Sequence, residues 1–185
     1  MFKIFFKIIF IIFSKMLIPI FYNSEYLRGK WFESSPVGWI WAWRGLVWQK
    51  IFGFNRSIPW PTSPRISVSD YKKIHFDIND LNNFQGFGNY FQCFNGDIYI
   101  GKGSYIAPNV GIITSNHDLN NLDNHLEGKD VVIGECCWIG MNSVILPGVT
   151  LGSRTIVGAG SVVTKCFPNG NCIIAGNPAR LLKYF

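Results

Sequence analysis

The chain has three histidines, His75, His117 and His125, and two of them fall in one polar stretch, residues 114–130 (TSNHDLNNLDNHLEGKD). Imidazole titrates near neutrality, so a histidine on such a stretch suits removal of a proton from a hydroxyl at physiological pH. Asp118 directly follows His117 and is placed to orient its ring. His125 reads as a loop contact, for a substrate or for an adjacent subunit, and His75 carries no role. A catalytic zinc of the all-histidine kind needs three converging imidazoles. With three histidines in all, and His75 far upstream, no metal is expected. The five cysteines (Cys93, Cys136, Cys137, Cys166, Cys172) form no C-x-x-C pair and no regular framework. That points to a reducing compartment and to cysteines used as small apolar fillers.

The polar stretch interrupts a six-residue rhythm, and that rhythm must position it. From Ile100 the chain reads IGKGSY, IAPNVG and IITSNH; after the interruption it resumes as IGECCW, IGMNSV, ILPGVT, LGSRTI and VGAGSV. An aliphatic residue recurs at positions 133, 139, 145, 151 and 157. Four residues after each comes Cys137, Ser143, Val149, Thr155 or Ser161, all small or β-branched. Three short strands joined by tight turns make a triangular coil of eighteen residues, with the aliphatic residue filling a corner and the small one packing inward. Glycine after the aliphatic residue is expected to supply turn conformations closed to other residues. Coils of this kind stack into a solenoid of parallel sheets. Residues 66–99 repeat less cleanly and are expected to form the first, irregular coils. A polar insertion thrown out from such a rigid scaffold is a natural place for function.

Composition divides the chain in two. Of its 185 residues, 48% are hydrophobic and 15% charged, which excludes a disordered solvating chain. Residues 1–65 hold nine Lys/Arg, two acids and six of the seven tryptophans, a net charge of +7; residues 66–185 carry a net −1. The expected organisation is a basic, Trp-rich helical region over 1–65, then a β domain over 66–185. No small-residue cleavage site follows the apolar run Met1–Phe21, which argues against a signal peptide, and Lys7 and Lys15 divide it too finely for a span. On a helical wheel Lys3, Lys7 and Ser14 share one side while Phe5, Ile9, Ile12 and Leu17 point elsewhere. That pattern fits a helix lying in an anionic bilayer interface, ahead of a spanning or an ordinary buried helix. Trp31, Trp39, Trp41, Trp43 and Trp48, set among basic residues, suit the headgroup level. Packing within the domain is the alternative, and the apolar neighbouring segment argues against a nucleic-acid partner.

The runs IAPNVGIITSNHD (106–118), VVIGECCWIGMNSVILPGVTLG (131–152), VGAGSVVTK (157–165) and AGNPARLLK (175–183) resemble the left-handed β-helix, hexapeptide-repeat acyltransferases, in the branch of galactoside, maltose and polysaccharide O-acetyltransferases. The resemblance implies left-handed coiling, opposite to the general rule for parallel crossovers. It also implies a homotrimer with acetyl-coenzyme A between neighbouring prisms. His117 falls where this family places its catalytic histidine, the base for a sugar hydroxyl attacking a thioester. The family's coenzyme A contacts fall on Met141 (main chain), Ala159, Thr164, Lys165, Arg180 and Lys183; the cationic three suit phosphates. Trp138 reads as a wall of the substrate cleft, and Asn89 and Gln92 stand near the family's acceptor-binding polar residues. Direct transfer is favoured over an acyl-cysteine route, because Cys137 is an inward filler and Cys136 lacks an evident base. The expected function is O-acetylation of a bacterial surface polysaccharide or its precursor, by a cytoplasmic enzyme peripheral on the inner face of the cytoplasmic membrane. The alternatives are a soluble small-molecule acetyltransferase and a non-catalytic trimeric scaffold at the membrane.

Overall fold

A computed structural model describes residues 2–185 and resolves two compact units, Met1–Pro64 and Arg65–Phe185. The side chains of residues 2–4, including the expected place of Lys3, lie outside the described residues. In the first unit, α1 (Phe2–Leu17) and α2 (Val37–Gly45) are joined by short 3₁₀ turns, and α2 runs on into a π turn over Leu46–Ile51. Its polar centre is Gln49, which is fully buried. The Gln49 Oε1 accepts from the Tyr22 hydroxyl at 3.1 Å and from the Thr62 amide at 3.2 Å. Its Nε2 faces the carbonyls of Asn55, Ile58 and Trp60 at 3.0–3.1 Å. Burial holds the Tyr22 hydroxyl well above the usual phenol range.

The tryptophans of this unit divide between interior and surface, with Trp31, Trp41 and Trp43 half-buried. Trp39 and Trp60 are buried, and the Trp39 indole donates to the Phe32 carbonyl. Trp43 stacks on Phe13 and donates to the Ser14 hydroxyl at 2.9 Å. Ser14, expected beside the lysines, is therefore buried as an acceptor between the two helices. Trp31 packs on Trp41, and of the six tryptophans Trp48 is the exposed one. Lys50 donates to the carbonyls of Arg56 and Ile58, and burial, aided by Arg56, lowers its pKa. Exposed apolar surface is also supplied by Phe5, Phe6, Ile9, Ile12, Phe13 and Met16 of α1 and by Ile51, Phe52 and Phe54. No described helix is long and apolar enough to cross a membrane.

In the second unit the strands are two to six residues long. The opening segment holds β1 (Ser67–Val68) and β2 (Ile74–Phe76). Then come β3 (Tyr90–Gln92), β4 (Ile98–Ile100), β5 (Tyr105–Ile106) and β6 (Gly111–Ile113). The polar insertion forms a hairpin of β7 (His117–Asp118) and β8 (Asn121–His125). Two regular coils follow: β9 (Val131–Ile133), β10 (Trp138–Ile139) and β11 (Val144–Ile145), then β12 (Thr150–Leu151), β13 (Thr155–Val157) and β14 (Val162–Val163). The unit ends on β15 (Cys172–Gly176) and β16 (Ala179–Tyr184).

From β4 onward the chain visits three sheets in turn, ordered β1-β3-β6-β11-β14, β2-β4-β9-β12 and β5-β10-β13-β15-β16. Every pairing in them is parallel except β15 with β16. Val132 pairs with Thr150, Trp138 with Ile156 and Val144 with Val162, the eighteen-residue step that the repeat predicts. Both inward sets are buried: Ile133, Ile139, Ile145, Leu151 and Val157, and Cys137, Ser143, Val149, Thr155 and Ser161.

The repeat glycines act differently from expectation. Those after the aliphatic residue are not in the left-handed region. They let coils approach: a Cβ on Gly140 would sit 2.6 Å from the Val157 oxygen and the Ala159 nitrogen one coil away. The left-handed turns fall two residues later, on Cys136 (φ 53°), Asn142 (φ 62°), Gly148 (φ 79°), Arg154 (φ 60°) and Gly160 (φ 69°). In the irregular opening coil a 3₁₀ segment over Ile78–Phe84 replaces a strand. Asn83 there does the work of a ladder with its side chain, donating to the Ser104 carbonyl and accepting from the Ile106 amide.

These roles separate two substitutions. Gly140→Ala forces two stacked coils apart and should lower stability by about 1–3 kcal/mol, as overpacking does. Asn142→Gly keeps the left-handed turn and should change stability by less than about 1 kcal/mol. Urea unfolding of both variants followed by circular dichroism checks the order.

Candidate active site

The insertion is welded to the stack at its base. Gln92 is buried, and its Oε1 accepts from the amides of Thr114 and Ser115 while its Nε2 donates to the Ser115 carbonyl. The Thr114 hydroxyl donates to the carbonyls of Gln92 and Phe94. Ser115 Oγ donates to the Leu126 carbonyl at 2.6 Å, closing the neck of the hairpin. Gln92, expected at an acceptor surface, is instead spent on the backbone that carries His117. Asn89 is buried too, with neither side-chain atom partnered, and does not reach solvent.

His117 stands exposed on β7, opposite His125 on β8. The His117 Nδ1 lies 2.7 Å from the Leu122 carbonyl oxygen. A carbonyl only accepts, so Nδ1 carries the proton and the neutral ring keeps its lone pair on Nε2. The ring also lies against that of His125, centroids 4.3 Å apart, and His125 meets Phe94 edge to face at 4.8 Å. Asp118 does not orient the His117 ring: its Oδ1 accepts from the Asn120 amide in the hairpin turn. The orienting group is a main-chain carbonyl, which leaves no mark in the pattern of side chains.

The expected donor residues fall on three parts of the stack. Met141 and Ala159 occupy equivalent turns one coil apart, where the Gly160 amide donates to the Met141 carbonyl. The Met141 amide has no partner among the described residues. Thr164 and Lys165 follow β14, in the sheet whose strand β6 leads into the insertion. Arg180 and Lys183 lie on β16, in the sheet that also holds Trp138. Trp138 is 56% exposed, so packing inside the chain does not explain it. Lys165, Arg180 and Lys183 are exposed, and none is ion-paired with a described carboxylate. Lys165 lies over the Phe167 ring and Arg180 donates to the Ala179 carbonyl, and three exposed cations on the C-terminal coils fit a phosphate-bearing ligand. Within one chain His117 meets His125, and the expected donor residues fall on different sheets and turns of the stack.

The cysteines offer no nucleophile inside the stack. Burial pushes the Cys93 thiol up to about 11 and raises that of Cys137, whose Sγ donates to the Gly152 carbonyl. No group of His, Cys, Asp or Glu among the described residues is arranged to hold a metal ion.

Residues 130–165 match the bacterial transferase hexapeptide family (six repeats). Galactoside O-acetyltransferase of Escherichia coli is 37% identical over 89 residues, covering 46% of this chain and 43% of that protein. A second Escherichia coli protein, named as a colanic acid biosynthesis acetyltransferase, is 38% identical over 88 residues, 48% of each chain. Among solved structures, a hexapeptide-repeat-containing acetyltransferase of Vibrio cholerae is 28% identical with a TM-score of 0.53, covering 66% of this chain and 69% of that one. The same protein solved with acetyl-coenzyme A gives a TM-score of 0.45 over 60% of this chain and 64% of that one. The repeat is thus that of the bacterial hexapeptide transferases, and the chain's relatives include galactoside and colanic acid acetyltransferases. The chain spans about half the length of the curated relatives it matches.

Free thiols report the burial directly. Cys136 and Cys166 are exposed and Cys93, Cys137 and Cys172 buried, so an aromatic disulfide reagent at mildly alkaline pH should modify two thiols fast in the folded protein and five after denaturation. Because the Cys93 thiol is raised to about 11, the unfolded chain binds fewer protons above about pH 8.5, and stability should fall as pH rises from there.

Proposed function

We propose that the protein is an acetyl-coenzyme A-dependent O-acetyltransferase with His117 as general base, acting on a sugar hydroxyl of a bacterial surface polysaccharide or its precursor. The observation that carries the reading is the His117–Leu122 hydrogen bond, which leaves Nε2 free to accept a proton. The hydroxyl oxygen attacks the thioester carbonyl as its proton passes to Nε2. The carbon–sulfur bond then breaks, and the imidazolium returns the proton to the departing thiolate. No covalent enzyme intermediate is needed, in keeping with the raised thiols of Cys93 and Cys137. The donor's phosphates would meet Lys165, Arg180 and Lys183, Ala159 and Thr164 would border the pantetheine arm, and the unpartnered Met141 amide would face the developing oxyanion. Trp138 would wall the acceptor side.

The stack would coil left-handed and assemble as a trimer. The placement of the donor residues supports that assembly, since neighbouring prisms can supply what one chain keeps apart. The exposed Phe5, Phe6, Ile9 and Ile12 beside Lys7 and Lys15 support peripheral binding to the anionic cytoplasmic face of a membrane. That attachment favours a membrane-borne acceptor. A soluble enzyme acting on a free sugar is the second reading, favoured by the burial of Trp39 and Trp60.

His117→Ala should lower turnover by about 10²–10⁴, the usual worth of a positioned general base, with unchanged unfolding. Lys165→Ala and Arg180→Ala should raise the KM for acetyl-coenzyme A and spare kcat, because remote phosphate contacts bind ground and transition states alike. Steady-state transfer of labelled acetyl to extracted polysaccharide measures both, and turnover of His117→Ala within threefold of wild type removes the base. In a flotation assay the full-length protein should bind anionic vesicles, more weakly as salt rises. Indifference to such vesicles at low salt leaves the free-sugar enzyme.

A further inference from the structure

The first unit carries a second apolar surface besides that of α1. Past the π turn the chain bends through two left-handed residues, Gly53 (φ 89°) and Asn55 (φ 56°), and leaves Ile51, Phe52 and Phe54 exposed by 64%, 62% and 52%. Trp48, itself exposed, gathers the two rings, with centroids 5.3 Å from Phe52 and 6.4 Å from Phe54. Ile40, Arg44 and Trp48 follow at four-residue spacing, which puts them on one side of a helix, and all three are exposed. The surface borders α1. Trp43, three residues after Ile40 and four before the exposed Val47, is the ring that stacks on Phe13. The two apolar surfaces therefore meet at that stack.

Two features say what covers the second surface. The first is the state of its backbone. An unsatisfied carbonyl is expensive once water is gone, and here the unit itself occupies them. The Ile51 carbonyl accepts from the Arg56 guanidinium and that of Gly53 from the Arg56 amide. The Asn55 carbonyl accepts from Gln49 and the Ile58 amide, and those of Arg56 and Ile58 accept from the Lys50 ammonium. A turn so engaged can leave water at small cost, whereas a protein partner could supply donors of its own. The second feature is charge. Residues 34–64 hold Arg44, Lys50 and Arg56 and no Asp or Glu, and Arg44 and Arg56 are exposed. A second copy would bring these same cations against themselves. Exposed rings among cations, with no acid between, fit an anionic lipid surface, the indole at headgroup level and the guanidinium groups on phosphates.

We propose that the turn over residues 51–54, with Trp48, is a second insertion point into an anionic bilayer, its Phe52 and Phe54 rings among the acyl chains and Arg44 and Arg56 on lipid phosphates. The proposal rests on the membrane attachment proposed above for its partner, and its experiment separates the two. Full-length protein carrying 5-fluorotryptophan, its signals assigned through single Trp-to-Phe substitutions, is mixed with bicelles of phosphatidylcholine and phosphatidylglycerol that contain a lipid spin-labelled on its acyl chain. The Trp48 fluorine signal should broaden more than those of Trp39 and Trp60, which are buried in the unit. Phe52→Ser and Phe54→Ser should each lower partition into anionic vesicles about tenfold. Their unfolding transitions should be unchanged, since both rings already face water. In protein that still floats with vesicles, a Trp48 signal no broader than those of Trp39 and Trp60, or serine variants that partition as wild type does, overturns the insertion point and leaves α1 as the attachment. Protein that ignores the vesicles overturns the attachment and the turn with it. If Phe52→Ser instead lowers the mass of the protein in lipid-free solution, measured by light scattering, the patch belongs to a second copy and the proposal falls.

Discussion

Each regular coil must turn three corners in eighteen residues, and each turn after its aliphatic residue passes through a left-handed conformation. Asn142 and Gly148 occupy it at low cost, whereas Cys136 and Arg154 adopt it against their own preference. They can do so because the ladders above and below fix the chain on both sides. Close contact between coils imposes the second condition, met by glycine at Gly134, Gly140, Gly152 and Gly158, where backbone or Cβ atoms of the next coil leave no room for a side chain. Strand length, inward burial and the placing of every surface residue depend on these two requirements.

The hairpin that carries His117 shows how a rigid stack positions an exposed group. His117 makes few contacts of its own, yet the hairpin neck is held by Gln92, Thr114 and Ser115 through buried hydrogen bonds that belong to the core. A buried amide satisfied at both ends costs much to break, so the hairpin is anchored where it leaves the prism. The Leu122 carbonyl then fixes the ring within it. Precision at an exposed imidazole thus comes from buried groups at the hairpin neck and from one main-chain carbonyl.

Much of this was legible in the residues and some was not. The aliphatic positions and their small partners carry the repeat plainly, because burial at fixed spacing leaves a pattern in side-chain type. The turns were misassigned by two residues, since glycine serves both for left-handed φ and for close approach, and its identity does not say which. The opening coil was illegible in detail because the Asn83 side chain takes over a backbone ladder. Tryptophan is ambiguous for a related reason: an indole N–H satisfied by the Phe32 carbonyl or by Ser14 serves an interior as well as a headgroup layer. The orientation of His117 by a carbonyl, and the meeting of Phe94 with His125 across some thirty residues, depend on the backbone path rather than on any local spacing.

The antiparallel return of β16 against β15 has a consequence for self-association. A stack of parallel coils offers at its open end a template on which the first coil of another molecule could continue, giving a fibre of indefinite length. β16 pairs antiparallel to β15 and is the last strand of its sheet, so the stack there ends on a strand that stands outside the repeat. Arg180 and Lys183 on that edge strand add like charges to any approaching copy. The reversal therefore takes one of the three sheets out of the repeat's register, so another copy does not extend all three ladders together at that end.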